Sequence, residues 1–177
     1  ANTKPGEYRV DITQAATQGI AAGTSSIAAS TVIDATNDGF SLMLDGVSSG
    51  LLTLSHGTYT PAQLASALAN AIQSSSALAT AGASATVSVD SGALKITSAR
   101  FGAGSSIGSL SGSALGALGY NGAETGAGVN VAGNFEYQGV LYTATGDGQT
   151  LTGPAGSPAE GLQIRYSGSA AQLSTGY

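Results

Sequence analysis

The chain has 177 residues, which suits one ordinary domain or two small ones. Its net charge is −5, only 8% of its residues are charged and 27 are glycine, a composition typical of a secreted or assembled β-rich protein with uncharged polar faces. Cysteine is absent, the five basic residues are scattered, and no apolar run approaches the roughly 20 residues of a membrane span, which excludes disulfide-stapled, thiolate-metal, nucleic-acid-binding and membrane-bound classes.

The N-terminal part predicts three short strands. Tyr8, Val10 and Ile12 alternate with charged residues, which indicates a strand with one exposed face. Residues 14–30 are rich in Ala, Ser, Gly and Thr and could form a short helix or an irregular ribbon; we favour the ribbon. Two further strands are predicted at 31–34 and 40–44, the second bracketed by turn signals at 37–39 and 45–46.

One amphipathic helix is predicted at about residues 61–73. Thr60 can cap its first turn, Pro61 stands where a missing N–H costs nothing, and Gln63 can complete a capping box. The apolar residues at i, i+4 and i+8 share one face: Leu64, Leu68 and Ile72. A helix this short is marginal alone in water, so it should pack on a sheet.

The flanking residues supply that sheet. Alternation predicts strands at 52–54, 87–89 and 94–97, and Asp90-Ser91-Gly92 is a plausible tight turn between the last two. Leu68 should therefore pack against the apolar side chains of these strands, namely Val87, Val89, Leu94 and Ile96.

The C-terminal half begins with a glycine-rich stretch. Residues 99–128 carry few side chains able to form contacts and are interpreted as a linker or domain crossing, with Leu110, Leu115 and Leu118 as anchors. Further strands are predicted at 129–137, 140–142 and 162–166, and a turn is predicted at Asp147-Gly148.

No catalytic, cofactor-binding or metal-binding residue is predicted. Ser106 lies in a Gly-Ser-Ser-Ile-Gly match to the nucleophile pattern G-x-S-x-G, but His56 is upstream of it and no helix follows. His56 is interpreted as a surface residue. The aspartates, most of them beside Gly or Asn, indicate turn chemistry: Asp34, Asp38, Asp45, Asp90 and Asp147. The tyrosines should divide between core and contact surface: Tyr8, Tyr59, Tyr120, Tyr137, Tyr142, Tyr166 and Tyr177.

Three stretches resemble the outer head domains of flagellar filament cap proteins (hook-associated protein 2). They are residues 6–14, the module from 40 to 107 with its helix and Ala93-Leu94-Lys95-Ile96-Thr97-Ser98, and the set 131–133, 139–140, 146–153 and 159–162. The 40–107 module also resembles the repeat found in some flagellins and other hook-associated proteins. The third is the most specific, and together they cover most of the chain. Asn134-Phe135-Glu136-Tyr137 departs from the family pattern, which has a threonine and a short Asn-Gly turn.

The resemblance implies a structural protein and not an enzyme. It implies self-association into a cap ring, flagellin as a partner, and an extracellular location on the bacterial flagellum after unfolded export without a cleaved signal peptide. Host surface glycans are a further candidate partner. The family's coiled-coil helices are absent from this sequence, and neither a signal peptide nor an initiator Met is visible, so we expect a head fragment or processed form.

The predicted fold class is α+β, mostly β, with two small antiparallel-sheet domains, one inserted in the other. Residues 1–46 and 128–177 form the discontinuous host, or inner head, domain, and residues 47–127 form the inserted outer head domain with the helix on its sheet. Two rival functions stay open: an adhesive head that binds surfaces, and the variable outer domain of a flagellin or hook–filament junction protein. An enzyme is the least favoured reading.

Overall fold

A computed structural model describes residues 3–173. It contains 38% strand and 13% helix, and all its strand pairs are antiparallel, which confirms a mostly β, α+β fold. The elements in chain order are β1 (Arg9–Gln14), β2 (Ile20–Ala22), β3 (Thr31–Ile33), β4 (Gly39–Leu44), β5 (Val47–Ser48), β6 (Leu52–Thr53), β7 (Gly57–Tyr59), α1 (Pro61–Gln73), α2 (Ser76–Ala81), β8 (Ala85–Asp90), β9 (Ala93–Ser98), β10 (Ser106–Ser111), β11 (Gly126–Ala127), β12 (Ala132–Tyr137), β13 (Val140–Thr143), β14 (Thr145–Asp147), β15 (Thr150–Thr152), β16 (Gln163–Arg165) and α3 (Ala170–Leu173).

The chain divides into two compact units. Unit 1 holds the residues up to Thr17, Phe101–Ala103 and the residues from Gly128 onward, whereas unit 2 holds Gln18–Arg100 and Gly104–Ala127. The sequence analysis predicted that the inserted domain begins near residue 47. Residues 18–46 instead belong to unit 2, because β4 pairs with β5, β6 and β10 and its apolar side chains enter the unit 2 core.

The predicted helix is present as α1, and its capping box is confirmed. Thr60 accepts a hydrogen bond from the Gln63 N–H, and the Gln63 side chain accepts one from the Thr60 N–H. Leu64, Leu68 and Ile72 are all buried. The helix packs on β8, as the need to cover its apolar face required.

A second helix, α2, follows almost at once and was not predicted. Ser75 caps its start by accepting a hydrogen bond from the Leu78 N–H, and Gly82 ends it in the left-handed conformation at φ +66°. Leu78 is the one buried side chain of α2. The serine run 74–76 therefore both ends α1, with Ser74 as its C-cap, and begins α2, with Ser75 as its N-cap.

The predicted hairpin around Asp90-Ser91-Gly92 is confirmed. β8 and β9 pair from Ala85↔Ser98 to Asp90↔Ala93, and Ser91 and Gly92 both have positive φ, as a two-residue type I′ turn requires. β9 is buried at Leu94, Ile96 and Ser98. The prediction that the valines of β8 pack under the helix was wrong in part, because Val89 is 39% exposed.

The interpretation of residues 99–128 as a linker was wrong. β10 lies inside a sheet with the order β11-β10-β4-β5, and the stretch after it buries Ala114, Leu118 and Tyr120 in the unit 2 core. Glycine there permits close backbone packing: a Cβ on Gly112 would meet the backbone of Gly39 in neighbouring β4.

Unit 1 contains two three-stranded sheets, β1-β12-β13 and β14-β15-β16. The departure from the family pattern at residues 134–137 lies in β12, and the hairpin to β13 turns through Gln138 and Gly139, both at positive φ. Asn130 ties the unit together, since its Oδ1 accepts hydrogen bonds from the N–H groups of Ala103 at 2.8 Å and Gly148 at 3.0 Å. The buried core is small: Ala16, Val131, Phe135, Leu151 and Ala159.

Candidate functional surfaces

Ser106 does not have the surroundings of a hydrolase nucleophile. That motif needs a sharp turn between a strand and a helix. Ser106 is the first residue of β10, it is half-buried, and a strand follows it. Its N–H donates to Asp45 Oδ1 at 2.9 Å, and its carbonyl accepts from the Asp45 N–H at 2.7 Å. Both backbone groups of Ser106 are therefore engaged in hydrogen bonds to Asp45 at the start of β10.

Asp45 is held by the strands beside it. It stands at φ +52° in the β4–β5 turn, where Asp45 and Gly46 together make a two-residue connection. Its carboxylate accepts hydrogen bonds from the Ser98 hydroxyl at 2.8 and 3.1 Å, in addition to the bond from Ser106. Ser98 is fully buried and also accepts from the Arg100 N–H. The arrangement joins the ends of β4, β9 and β10.

His56 lies on the surface, as expected, and it has a partner. Its Nε2 is 3.0 Å from Asp38 Oδ2, and the side chain is 56% exposed. Nearby, Asp34 accepts hydrogen bonds from the hydroxyl and N–H of Thr36, which hold the pKa of Asp34 below its usual value. The aspartates of this loop act in turn geometry, as their positions in the sequence indicated.

Sequence reasoning missed Glu124, the one buried carboxylate among residues 3–173. Glu124 is 8% exposed, and it accepts hydrogen bonds from the N–H groups of Asn121 at 2.8 Å and Gly122 at 2.9 Å, and from the Thr24 hydroxyl at 3.3 Å. Burial opposes its charge, but these hydrogen bonds outweigh that cost and lower the pKa of Glu124. Burial and, to a lesser extent, the Glu124 charge raise the pKa of Tyr120. An Asn-Gly turn followed by Glu was the available signal.

The described tyrosines differ in burial, and whether any of them forms a contact surface stays a prediction. Of those described, Tyr120 is buried, while the other five are half-buried; Tyr177 lies outside the described residues. Tyr8 and Tyr137 stack in unit 1 with ring centroids 5.1 Å apart. They line an open groove of 890 Å³ together with charged and amide side chains: Glu7, Arg9, Glu136 and Gln138.

Unit 2 has a separate groove of 670 Å³ along α1. Its walls are small or polar on the helix side, with Ser66, Ala67 and Asn70, and they include Leu54 and Tyr59 from the preceding segment. The residues that line this groove include no Asp, Glu, His, Lys or Arg, so it offers no acid–base pair. It is a shallow surface feature beside the helix.

The part of the chain that the structure describes contains neither a metal-ligand cluster nor a membrane-spanning helix. Among residues 3–173, no three His, Asp or Glu side chains cluster in a way that could hold a metal ion. No described helix is both long and apolar enough to cross a membrane.

Comparison of the chain with protein-family models, with curated proteins and with solved structures finds no match.

Proposed function

We propose that this chain is the head part of a bacterial flagellar filament cap, a structural protein at the filament tip under which flagellin subunits fold and assemble. In the finer form of the proposal, unit 2 is an outer head domain inserted in an inner one, unit 1. Self-association into a ring would then belong to the full-length protein, outside the cell.

The path of the chain is the observation that supports the proposal. Residues before 18 and after 127 belong to unit 1, and unit 2 takes most of what lies between them. The two ends of unit 2 lie together, since a Cβ on Gly126 would meet the carbonyl oxygen of Ile20. Adjacent ends are what an inserted domain requires. The excursion of Phe101–Ala103 into unit 1 makes this insertion more interwoven than a single entry and exit.

The surface chemistry also favours a scaffold over a catalyst. Asp45, Asp34 and Glu124 each accept hydrogen bonds from the backbone of their own or neighbouring strands and loops. Carboxylates engaged in this way hold turns in place, whereas a general acid or base has to face a substrate.

Electron microscopy of flagella labelled with antibody against this chain tests the proposal. We expect label at the filament tip, and cells that lack the protein should release unassembled flagellin into the medium. Label along the filament would instead favour a flagellin outer domain, and label between hook and filament a junction protein. Either pattern would overturn the cap proposal.

Adhesion to host glycans is the second candidate, and the groove beside Tyr8 and Tyr137 is the observation in its favour. Its polar rim suits hydroxyl groups. Against it, both tyrosine hydroxyls already donate to backbone carbonyls, Tyr8 to Pro158 at 2.6 Å and Tyr137 to Pro5 at 3.2 Å. A glycan array probed with the isolated chain separates the two: binding lost on Glu136→Gln would support adhesion.

A further inference from the structure

The outer edge of β13 is open. The Ala144 N–H donates to the Gly133 carbonyl at 3.0 Å, which fixes which residues of β13 face β12. Bonded and non-bonded pairs alternate along an antiparallel ladder, so Tyr142 and Val140 bond to β12, and the N–H and C=O groups of Leu141 and Thr143 point away from it. Among residues 3–173, no strand pairs with that edge.

This edge lacks the protection that other long edge strands carry. Three described edge strands have four or more residues: β1, β8 and β13. β1 contains Arg9 and Asp11, and β8 ends in Asp90, which pairs with Lys95 at 2.6 Å. β13 reads Val-Leu-Tyr-Thr, without charge or proline, and Val140 and Leu141 are 52% and 60% exposed. An edge of this kind readily accepts another strand.

We infer that β13 pairs antiparallel with β13 of a second copy of this chain, about a two-fold axis at Tyr142. Leu141 of one copy then lies opposite Thr143 of the other and exchanges two backbone hydrogen bonds with it, and the symmetric pair adds two more. Tyr142 faces Tyr142 of the other copy as a non-bonded, aromatic cross-strand pair. The two β1-β12-β13 sheets become one sheet of six strands.

Three features favour a second copy as the occupant. The outward groups of β13 are self-complementary about Tyr142, as an isologous contact requires. Glu136, the cross-strand neighbour of Leu141, is paired with Arg9 at 3.8 Å, so the two joined faces do not oppose unpaired like charges. The edges left free after pairing are the charged β1 strands, so the assembly closes at two copies.

The contact is small, with four backbone hydrogen bonds from a four-residue strand. It should therefore bury less than the roughly 1,200 Å² of stable complexes and give a weak dimer in dilute solution. Because the strand is uncharged, raised salt should leave it intact. The inference does not depend on the proposed cap function, since filament labelling and dimerisation are measured independently.

Single cysteines test the register, because the chain contains none of its own. Cα atoms of a non-bonded antiparallel pair are about 4.5 Å apart, within the range for a disulfide. Tyr142→Cys should thus cross-link two copies under mild oxidation. Leu141→Cys is the matched control: its two copies stand two residues out of register, roughly 8 Å apart, and should not cross-link.

A lysine placed on the edge of β13 tests the contact itself, and sedimentation at several concentrations measures the dimerisation. Leu141→Lys should weaken dimerisation at least about tenfold, while the new lysine can pair with Glu136 in its own chain, so folding is preserved. Val89→Lys, the same change at an exposed position of β8, should leave dimerisation as it was. A chain that stays monomeric at all concentrations, cross-linking through Leu141→Cys instead of Tyr142→Cys, or equal effects of the two lysines would each overturn the inference.

Discussion

The two units of this chain are stabilised in different ways. Unit 2 has one continuous core of 21 buried residues, whereas the core of unit 1 contains five among the residues that the structure describes. Unit 2 supplies Leu, Ile and Phe from β4, β9 and α1, while much of the apolar contact in unit 1 comes from half-buried side chains such as Tyr8, Ile164 and Tyr166.

This difference shows how two units of one weakly charged, glycine-rich chain reach a folded state. A core with a helix on its sheet gains stability from apolar area removed from water. A small core removes less apolar area from water, so unit 1 depends more on strand pairing and on hydrogen bonds such as those to Asn130. We expect unit 1 to be the less stable of the two.

Removing the largest side chain of the small core should have the largest effect. Phe135 is fully buried in β12, so Phe135→Ala should lower the free energy of unfolding by roughly 3–5 kcal/mol. Hydrogen exchange should speed up in β1, β12 and β13 but not in α1 and β9. Val129→Ala, at a position 42% exposed, is the control and should change stability by less than about 0.5 kcal/mol. Equal acceleration in both units would show that they unfold as one.

The matching change in unit 2 is Leu68→Ala. Leu68 is fully buried on the inner face of α1, and we expect Leu68→Ala to lower the free energy of unfolding by roughly 2–5 kcal/mol, measured by a circular-dichroism melt. Leu51→Ala is the control, since Leu51 is 75% exposed. A melt that Leu68→Ala leaves unchanged would contradict the placement of the helix on its sheet.

Glu124→Gln should lower the free energy of unfolding by a smaller amount, about 1–3 kcal/mol at neutral pH, because the charge-assisted hydrogen bonds of a buried carboxylate are lost. The folded-state pKa of Glu124 is lowered, so its contribution is complete above its unfolded pKa of about 4.3 and fades as pH falls through the folded value. Denaturant unfolding across this acid range should show wild type and variant converging. Glu7→Gln, at an exposed position, should show no such convergence, and a constant gap for Glu124→Gln would refute the assignment.

Local patterns in the sequence were enough to predict several elements. The Thr60–Gln63 capping box, the i, i+4, i+8 face of α1 and the Ser91-Gly92 turn all depend on residues close together in the chain. Such features are decided by backbone propensity and side-chain spacing, so they can be recognised without knowing what they pack against.

The pairing of distant segments could only be read from the tertiary structure. Few large side chains mark the glycine-rich stretch that contains β10, so its pattern resembles a linker, yet it lies beside β4 and buries Leu110 and Leu118. The burial of Glu124 also involves a distant residue, since the hydroxyl of Thr24, a hundred residues earlier in the chain, donates to it. The open edge of β13 likewise depends on which strand lies beside it. Sequence alone therefore determined the mostly β class and the local turns and caps, because these come from neighbouring residues. Tertiary structure decided sheet order, the limits of the two units and the exposed edge, because glycine-rich strands carry little side-chain information about their partners.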